Sequence, residues 1–288
     1  MMRGLPGSGK TTRARELVTQ TGNSARVNRD DLRAMLFYGK WSGKREAAVI
    51  AVEKAIAHAL LVQGLNPIID DTNLLPKHLQ MWSQFAKDEG IQHSNNPVEF
   101  VVVDKDTSRE ECIANDFGRA GKAYVGQPVI NRMAAQSHRF NWGVKPIAIF
   151  DIDGTLADGS HREHLVTGEK KNWKAYFNLC GDDKPVEIVV GMLHALRETH
   201  MIVVVSGRPD TCYPETFRWF VEHDIPYDAI FMRAGSDKRP DTEVKQDILN
   251  LMPKERIAVV FDDRPRVIRM WRENGIRVIP VRGACEEF

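Results

Sequence analysis

The chain has 288 residues, of which 42% are apolar and 27% charged, with a net charge of +1. That length favours two domains, and the composition excludes disordered and fibrous classes. No apolar run approaches the ~18 residues of a membrane span, and the N-terminus carries no charged segment followed by an apolar stretch, so neither membrane insertion nor secretion is expected.

Cys112, Cys180, Cys212 and Cys285 form no Cys-x-x-Cys pair and read as thiols in a reducing cytoplasm. Residues 1–140 hold 19 Lys and Arg against 15 Asp and Glu, and residues 141–288 hold 21 against 24. The N-terminal excess suits a polyanionic substrate, although ordinary scatter of surface charge gives the same figures.

The first element is a loop. Gly4-Leu-Pro-Gly-Ser-Gly-Lys10-Thr11 fits G-x-x-x-x-G-K-[ST] at every position. Gly4, Gly7, Ser8 and Gly9 allow backbone amides to turn inward around phosphate oxygens. Lys10 reaches the β- and γ-phosphates of a nucleotide such as ATP, Thr11 ligates Mg²⁺, and Thr12 follows in the same cradle. Only Met1, Met2 and Arg3 precede Gly4, so the buried strand that leads into such a loop is expected to be absent or truncated.

Helical composition follows from Thr11 to Thr21. After Val27 comes Asn28-Arg-Asp-Asp-Leu-Arg33. Asp30 can accept a hydroxyl proton and Arg33 can hold a substrate phosphate with two bonds; the alternative is an Asn-capped, solvated helix start. A long helical pattern over 42–63 stops at Gly64. The apolar strand Pro67–Asp70 then leads into Asp70-Asp71-Thr72-Asn73, where a carboxylate can support Mg²⁺ through water and where Asp71 and Thr72 can meet substrate; an Asx turn is the plainer reading. A helix near 77–89, a strand over 98–103, and a helix capped by Ser108 with Glu111 three residues on complete the alternation. Arg119 precedes another helix and can neutralise a transferring phosphoryl group, or lie on the surface.

Gly143 and Pro146 interrupt the pattern, which sets a first domain at 1–140, a linker at 141–146 and a second domain at 147–288. The expected fold class is α/β, two domains each built on a mostly parallel sheet with helices on both faces. In the second domain the strand Ile147–Phe150 runs into Asp151-Ile-Asp153-Gly-Thr155, the strand Met201–Val205 into Ser206-Gly207-Arg208, and the strand Ile257–Phe261 into Asp262-Asp263. Two carboxylates two residues apart divide labour: Asp151 attacks phosphorus, while Asp153 protonates the leaving alcohol and later activates water. Asp262 and Asp263, with Asp151 and Asp153, supply oxygen ligands for Mg²⁺. Ser206, Gly207 and Arg208 can bind phosphate oxygens, and Lys245, on a helix, can balance the charge on Asp151 and the phosphoryl group. Trp173 and Tyr176, in the segment 157–180, can stack on a base or form the core of a small cap.

Asp151-x-Asp153-Gly-Thr155, Ser206, Lys245 and Asp262-Asp263 resemble the four motifs of the haloacid dehalogenase phosphatase superfamily. Together with the glycine-rich loop and Asn28–Arg33, the chain resembles phage and bacterial polynucleotide kinase/phosphatase from Gly4 to Trp271. The resemblance implies transfer of the NTP γ-phosphate to a 5′-hydroxyl of RNA or DNA and removal of 3′-phosphates. It implies Asp30 as general base, Arg33 as a contact to nucleic acid phosphate, Asp151 as nucleophile, Asp153 as acid/base, and Ser206, Arg208 and Lys245 as phosphate ligands. A small-metabolite kinase/phosphatase, or an end-binding module with an inactive glycine-loop half, uses the same residues. No oligomeric state follows from the sequence.

Overall fold

A β/α alternation runs through both halves of the computed structural model, which describes residues 1–92, 98–167 and 169–281. Packing divides the chain after Tyr124.

The first unit consists of β1 (Met2–Arg3), α1 (Lys10–Thr21), β2 (Ser24–Val27), α2 (Arg29–Phe37), α3 (Gly43–Val62), β3 (Asn66–Ile69), α4 (Pro76–Gln92), β4 (Val103–Asp104) and α5 (Arg109–Phe117). β1 pairs in parallel with β4, and β2 in parallel with β3, as two separate ladders. The strand before the glycine loop is present as Met2–Arg3. The strand expected over 98–103 is confined to β4, whose Val103 and Asp104 pair with Met2 and Arg3. Burial compensates for the short ladder. Met2 is fully buried with Ala14 and Ile68, the Asn73 side-chain amide donates to the Met2 carbonyl at 2.9 Å, and the Gly4 N–H donates to the Thr72 carbonyl at 3.1 Å.

A second apolar cluster of Val27, Leu32, Val49, Ala57, Ile69 and Trp82 packs α2, α3 and α4 onto β2 and β3. Side-chain caps open three of this unit's helices. Asn28 accepts from the Asp31 N–H, Ser42 from Arg45 and Ser108 from Glu111, which satisfies amides that helix starts leave unpaired.

The second unit consists of α6 (Gln127–Gln136), β5 (Ile147–Phe150), β6 (Ala157–Asp158), α7 (Trp173–Asn178), β7 (Lys184–Pro185), α8 (Glu187–Arg197), β8 (Met201–Pro209), α9 (Tyr213–Glu222), β9 (Ala229–Arg233), α10 (Asp241–Leu249), β10 (Ile257–Asp262), α11 (Pro265–Glu273) and β11 (Val278–Pro280). Five parallel strands form one sheet in the order β11-β10-β5-β8-β9. The central strand β5 is buried along its whole length, as an apolar run covered on both faces requires, and Phe150 stacks on Phe261 at 4.4 Å between ring centroids.

β8 does not stop at Val205. It continues through Ser206, Gly207 and Arg208 to Pro209, with a register shift between Ser206 and Pro209 against β9. β6 and β7 pair antiparallel and close the base of an insertion that carries α7. α6 precedes the Gly143–Pro146 break yet packs on β9, where the Asn131 side-chain amide donates to the Ile230 carbonyl at 2.9 Å. Packing and the Gly/Pro break therefore assign residues 125–140 to opposite units. Cys112, Cys180 and Cys212 are buried thiols, and Cys285 lies outside the described residues.

Candidate active sites

In the first unit the glycine loop leaves β1 and enters α1. Gly4, Gly7 and Gly9 all have positive φ, 152°, 85° and 82°. At Gly7 a Cβ would sit 2.3 Å from the Cys112 carbonyl oxygen, so the loop is pressed against α5 where only glycine fits. Asn115 and Thr107 fix it further by donating to the Gly7 and Ser8 carbonyls at 3.0 and 3.1 Å. Gly9 opens α1 without any side-chain cap, which leaves the helix amides available to an anion.

Lys10 is buried, and its ammonium donates to the Leu5 carbonyl at 2.7 Å. Burial lowers its pKa to about 8 against the opposing pull of Asp70, and Arg119 and Asp71 act on it as well. Lys10, Asp70, Asp71 and Arg119 thus share one electrostatic neighbourhood. Ser8 Oγ and Asp70 Oδ1 are buried with no hydrogen-bond partner among the described residues. Uncapped amides, a lysine and orphaned oxygens suit a nucleotide phosphate with a hard cation. Thr11 and Thr12 stand in the first turn of α1.

Asp30 and Arg33 occupy one face of α2. Arg33 is ion-paired to Asp30 and, at 2.9 Å, to Glu46 on α3, while the Asp30 carboxylate is 84% exposed. Asp71 is tied to the start of α2, accepting from the Arg29 N–H at 3.0 Å, and Thr72 contributes its carbonyl to Gly4. One buried partner escaped notice in the sequence. Glu53, on α3, lies 2.7 Å from Arg29, and burial together with Asp71 pushes its carboxyl up to about 8.

In the second unit Asp151 follows β5 and receives Lys245 of α10 at 3.0 Å; the same ammonium lies 2.7 Å from Asp262. Burial lowers the lysine's pKa, but Asp151 and Asp262 outweigh it and hold the charge on. Asp151, Asp262 and Asp263 present oxygens within 4.8 Å of one another. Burial pushes the Asp151 carboxyl up to about 7; Lys245 opposes this, and Asp262 and Asp263 add to it. Three crowded carboxylates beside one lysine call for further positive charge, so an oxygen-seeking divalent cation fits. Gly154, with φ 81°, makes room: a Cβ there would lie 2.0 Å from Asp263.

Asp153 stands apart from that cluster. Its Oδ1 accepts from Arg162 at 2.6 Å and from Arg208 at 2.7 Å. Burial would raise its pKa, but Arg208 and Arg162 outweigh it and keep the group well below the carboxylate range. Both guanidiniums also meet Asp183, Arg208 at 2.6 Å, and the Asp183 main-chain carbonyl accepts from the Trp219 indole at 2.6 Å. Arg208, expected to bind phosphate, is engaged here by Asp153 and Asp183, and its Nη1 donates to the Thr216 hydroxyl at 3.4 Å. Ser206 is buried and accepts from the Arg208 N–H at 3.2 Å. Gly207 faces Asp241, whose carboxylate would lie 2.6 Å from an added Cβ and is itself clamped by Arg233 and Arg264. Arg162, Asp183 and Asp241 carry no local motif that would have marked them.

Residues 145–284 match the family described as the polynucleotide kinase PNKP phosphatase domain, and residues 1–140 match the AAA domain family. The second half of the chain is thus similar to a polynucleotide kinase phosphatase domain and the first half to an AAA domain. Among its relatives is a protein of Autographa californica nuclear polyhedrosis virus named "Putative bifunctional polynucleotide kinase/RNA ligase", 26% identical over 99% of this chain. This chain spans 42% of that relative's length. Similar structures include the Pnkp1/Rnl/Hen1 RNA repair complex, at 23% identity, TM-score 0.40, and coverage of 97% of this chain and 94% of that one. A haloacid dehalogenase-like hydrolase from Streptococcus pneumoniae, 13% identical with a TM-score of 0.35, covers 47% of this chain and 84% of its own. No described helix is long and apolar enough to cross a membrane.

Proposed function

We propose that the chain repairs nucleic acid ends from two sites, phosphorylating 5′-hydroxyls with ATP in the first unit and hydrolysing 3′-phosphates in the second. The observation that carries this reading is the contrast between Asp151 and Asp153. One carboxylate faces Lys245 and a cation-binding cluster; the other is held ionised by two buried arginines.

In the phosphatase reaction Asp151 Oδ attacks phosphorus and the bond to the 3′-oxygen breaks, giving an aspartyl-phosphate. Lys245 balances charge on the nucleophile and the phosphoryl oxygens, and buried Ser206 offers a hydroxyl beside them. Asp151, Asp262 and Asp263 would hold a divalent cation such as Mg²⁺, which would supply the neutralisation that lets a carboxylate approach a phosphate. The arginines keep Asp153 as the base that takes a proton from the attacking water in the second step. Its earlier service as acid requires an ion pair to Arg162 or Arg208 to loosen.

In the kinase reaction Lys10 and the loop amides hold the β- and γ-phosphates, Thr11 would hold Mg²⁺, and Arg119 offsets charge on the transferring group. Asp30, exposed on α2, takes the proton of the acceptor hydroxyl, and Arg33, Asp71 and Thr72 position the acceptor. ATP turnover on a 5′-hydroxyl oligonucleotide, measured beside phosphate release from a 3′-phosphorylated one, tests both halves. Absence of both in folded protein would overturn the reading.

A further inference from the structure

We infer that Trp173 is the base-stacking platform of the 3′-phosphatase, taking the nucleobase of the nucleotide that bears the phosphate; this rests on the phosphatase reading above. A chain of contacts leads from the reacting carboxylates to this indole. Arg162 binds Asp153 at 2.6 Å and lies over the Tyr176 ring at 4.0 Å from its centroid. Tyr176 in turn meets Trp173 edge to face, with centroids 5.8 Å apart.

The two aromatics differ in what covers them. Tyr176 is 6% exposed and belongs to the core of the insertion, while Trp173 is 46% exposed. One ring face of Trp173 is backed by Phe177, stacked at 5.9 Å and 23°. A large half-exposed indole, rigidly backed and close to a phosphate centre, is suited to a planar π-faced ligand. Its neighbours in the chain favour an anionic polymer: Lys170, Lys171 and Lys174 are all exposed. Asn172 caps α7 by accepting from the Ala175 N–H at 3.0 Å, which fixes the turn on which Trp173 stands. A nucleobase over the indole, with flanking phosphodiesters near the lysines, satisfies both the apolar face and the charge.

The test compares the wild-type chain with Trp173→Ala and Trp173→Phe on three substrates: a 3′-phosphorylated oligonucleotide, the same strand with an abasic 3′-terminal nucleotide, and p-nitrophenyl phosphate. Loss of one base stack corresponds to about tenfold. We expect KM for the ordinary oligonucleotide to rise about tenfold in Trp173→Ala, with kcat little changed and with recovery in Trp173→Phe. The abasic strand and p-nitrophenyl phosphate should be handled equally by all three proteins. Unchanged KM on the ordinary strand in Trp173→Ala overturns the inference, as does an equal loss on p-nitrophenyl phosphate, which marks a structural role. Failure of the wild-type chain to release phosphate from either strand instead defeats the phosphatase reading on which the inference stands.

Discussion

Asp151 and Asp153 lie two residues apart at one strand end, yet their surroundings drive their protons in opposite directions. For Asp151 the consequence is direct. Asp151→Asn keeps the shape but removes the attacking oxygen's charge, so 3′-phosphatase activity should fall at least a thousandfold while 5′-kinase activity persists. Mass spectrometry of the trapped wild-type enzyme should place the phosphate on Asp151, and phosphate on another residue would exclude it as nucleophile. Glu53 shows the same physics in the other unit. Burial and Asp71 push its carboxyl up to about 8, so the folded chain binds that proton more tightly than the unfolded chain. The associated stability is complete below the ordinary glutamate value of about 4.3 and is lost as pH rises through about 8. Glu53→Gln, which mimics the protonated form, should flatten the fall in Tm between about pH 5 and pH 8 for the transition that ATP shifts; an unchanged slope would assign that dependence elsewhere. The Asp-x-Asp pair was legible because both groups sit in one short segment. Glu53 was not, because nothing around it in an Ala- and Ile-rich helix shows that α3 passes over Asp71.

Elements carry their chemistry at their ends, and this is where sequence reading succeeded and where it slipped. β5 ends where expected and β10 one residue later, at Asp262, because carboxylates follow apolar runs that must be buried. β8 was read too short: Ser206 and Gly207 look like a turn, but the neighbouring β9 continues to pair, Met232 with Ser206 and Arg233 with Pro209. Pairing across a sheet is a long-range property that a local Ser-Gly signal cannot report. The Ser108 cap with Glu111 was legible because capping is local. The glycine loop makes its own prediction. Gly7→Ala places a methyl 2.3 Å from the Cys112 carbonyl at a left-handed φ, so α5 or the loop must shift. ATP affinity should fall at least tenfold by calorimetry, with phosphatase rates unaltered; wild-type affinity would mean that α5 yields without disturbing the loop.

For the whole molecule, two sites imply two separable activities. Lys10→Ala should abolish 5′-phosphorylation and leave 3′-phosphatase activity within a few-fold of wild type, because Lys10 and Lys245 belong to different packing units. Loss of both activities in a protein that still melts cooperatively would argue against independent centres. The two-domain plan was legible from length and from two motif sets, and packing divides the chain earlier than the Gly/Pro break does, after Tyr124. Gly143 and Pro146 mark a break in the chain, whereas the edge of a packing unit depends on what α6 covers.

That helix sets the rule for cutting the molecule. A fragment starting at Ile147 discards α6 and leaves the Ile230 carbonyl, buried under Asn131, without its donor. The fragment would present the bare flank of β9 to solvent and to its own copies, and β9 is the outer strand of the sheet. Anyone transplanting the phosphatase into another scaffold should therefore splice after Tyr124 and carry the helix along.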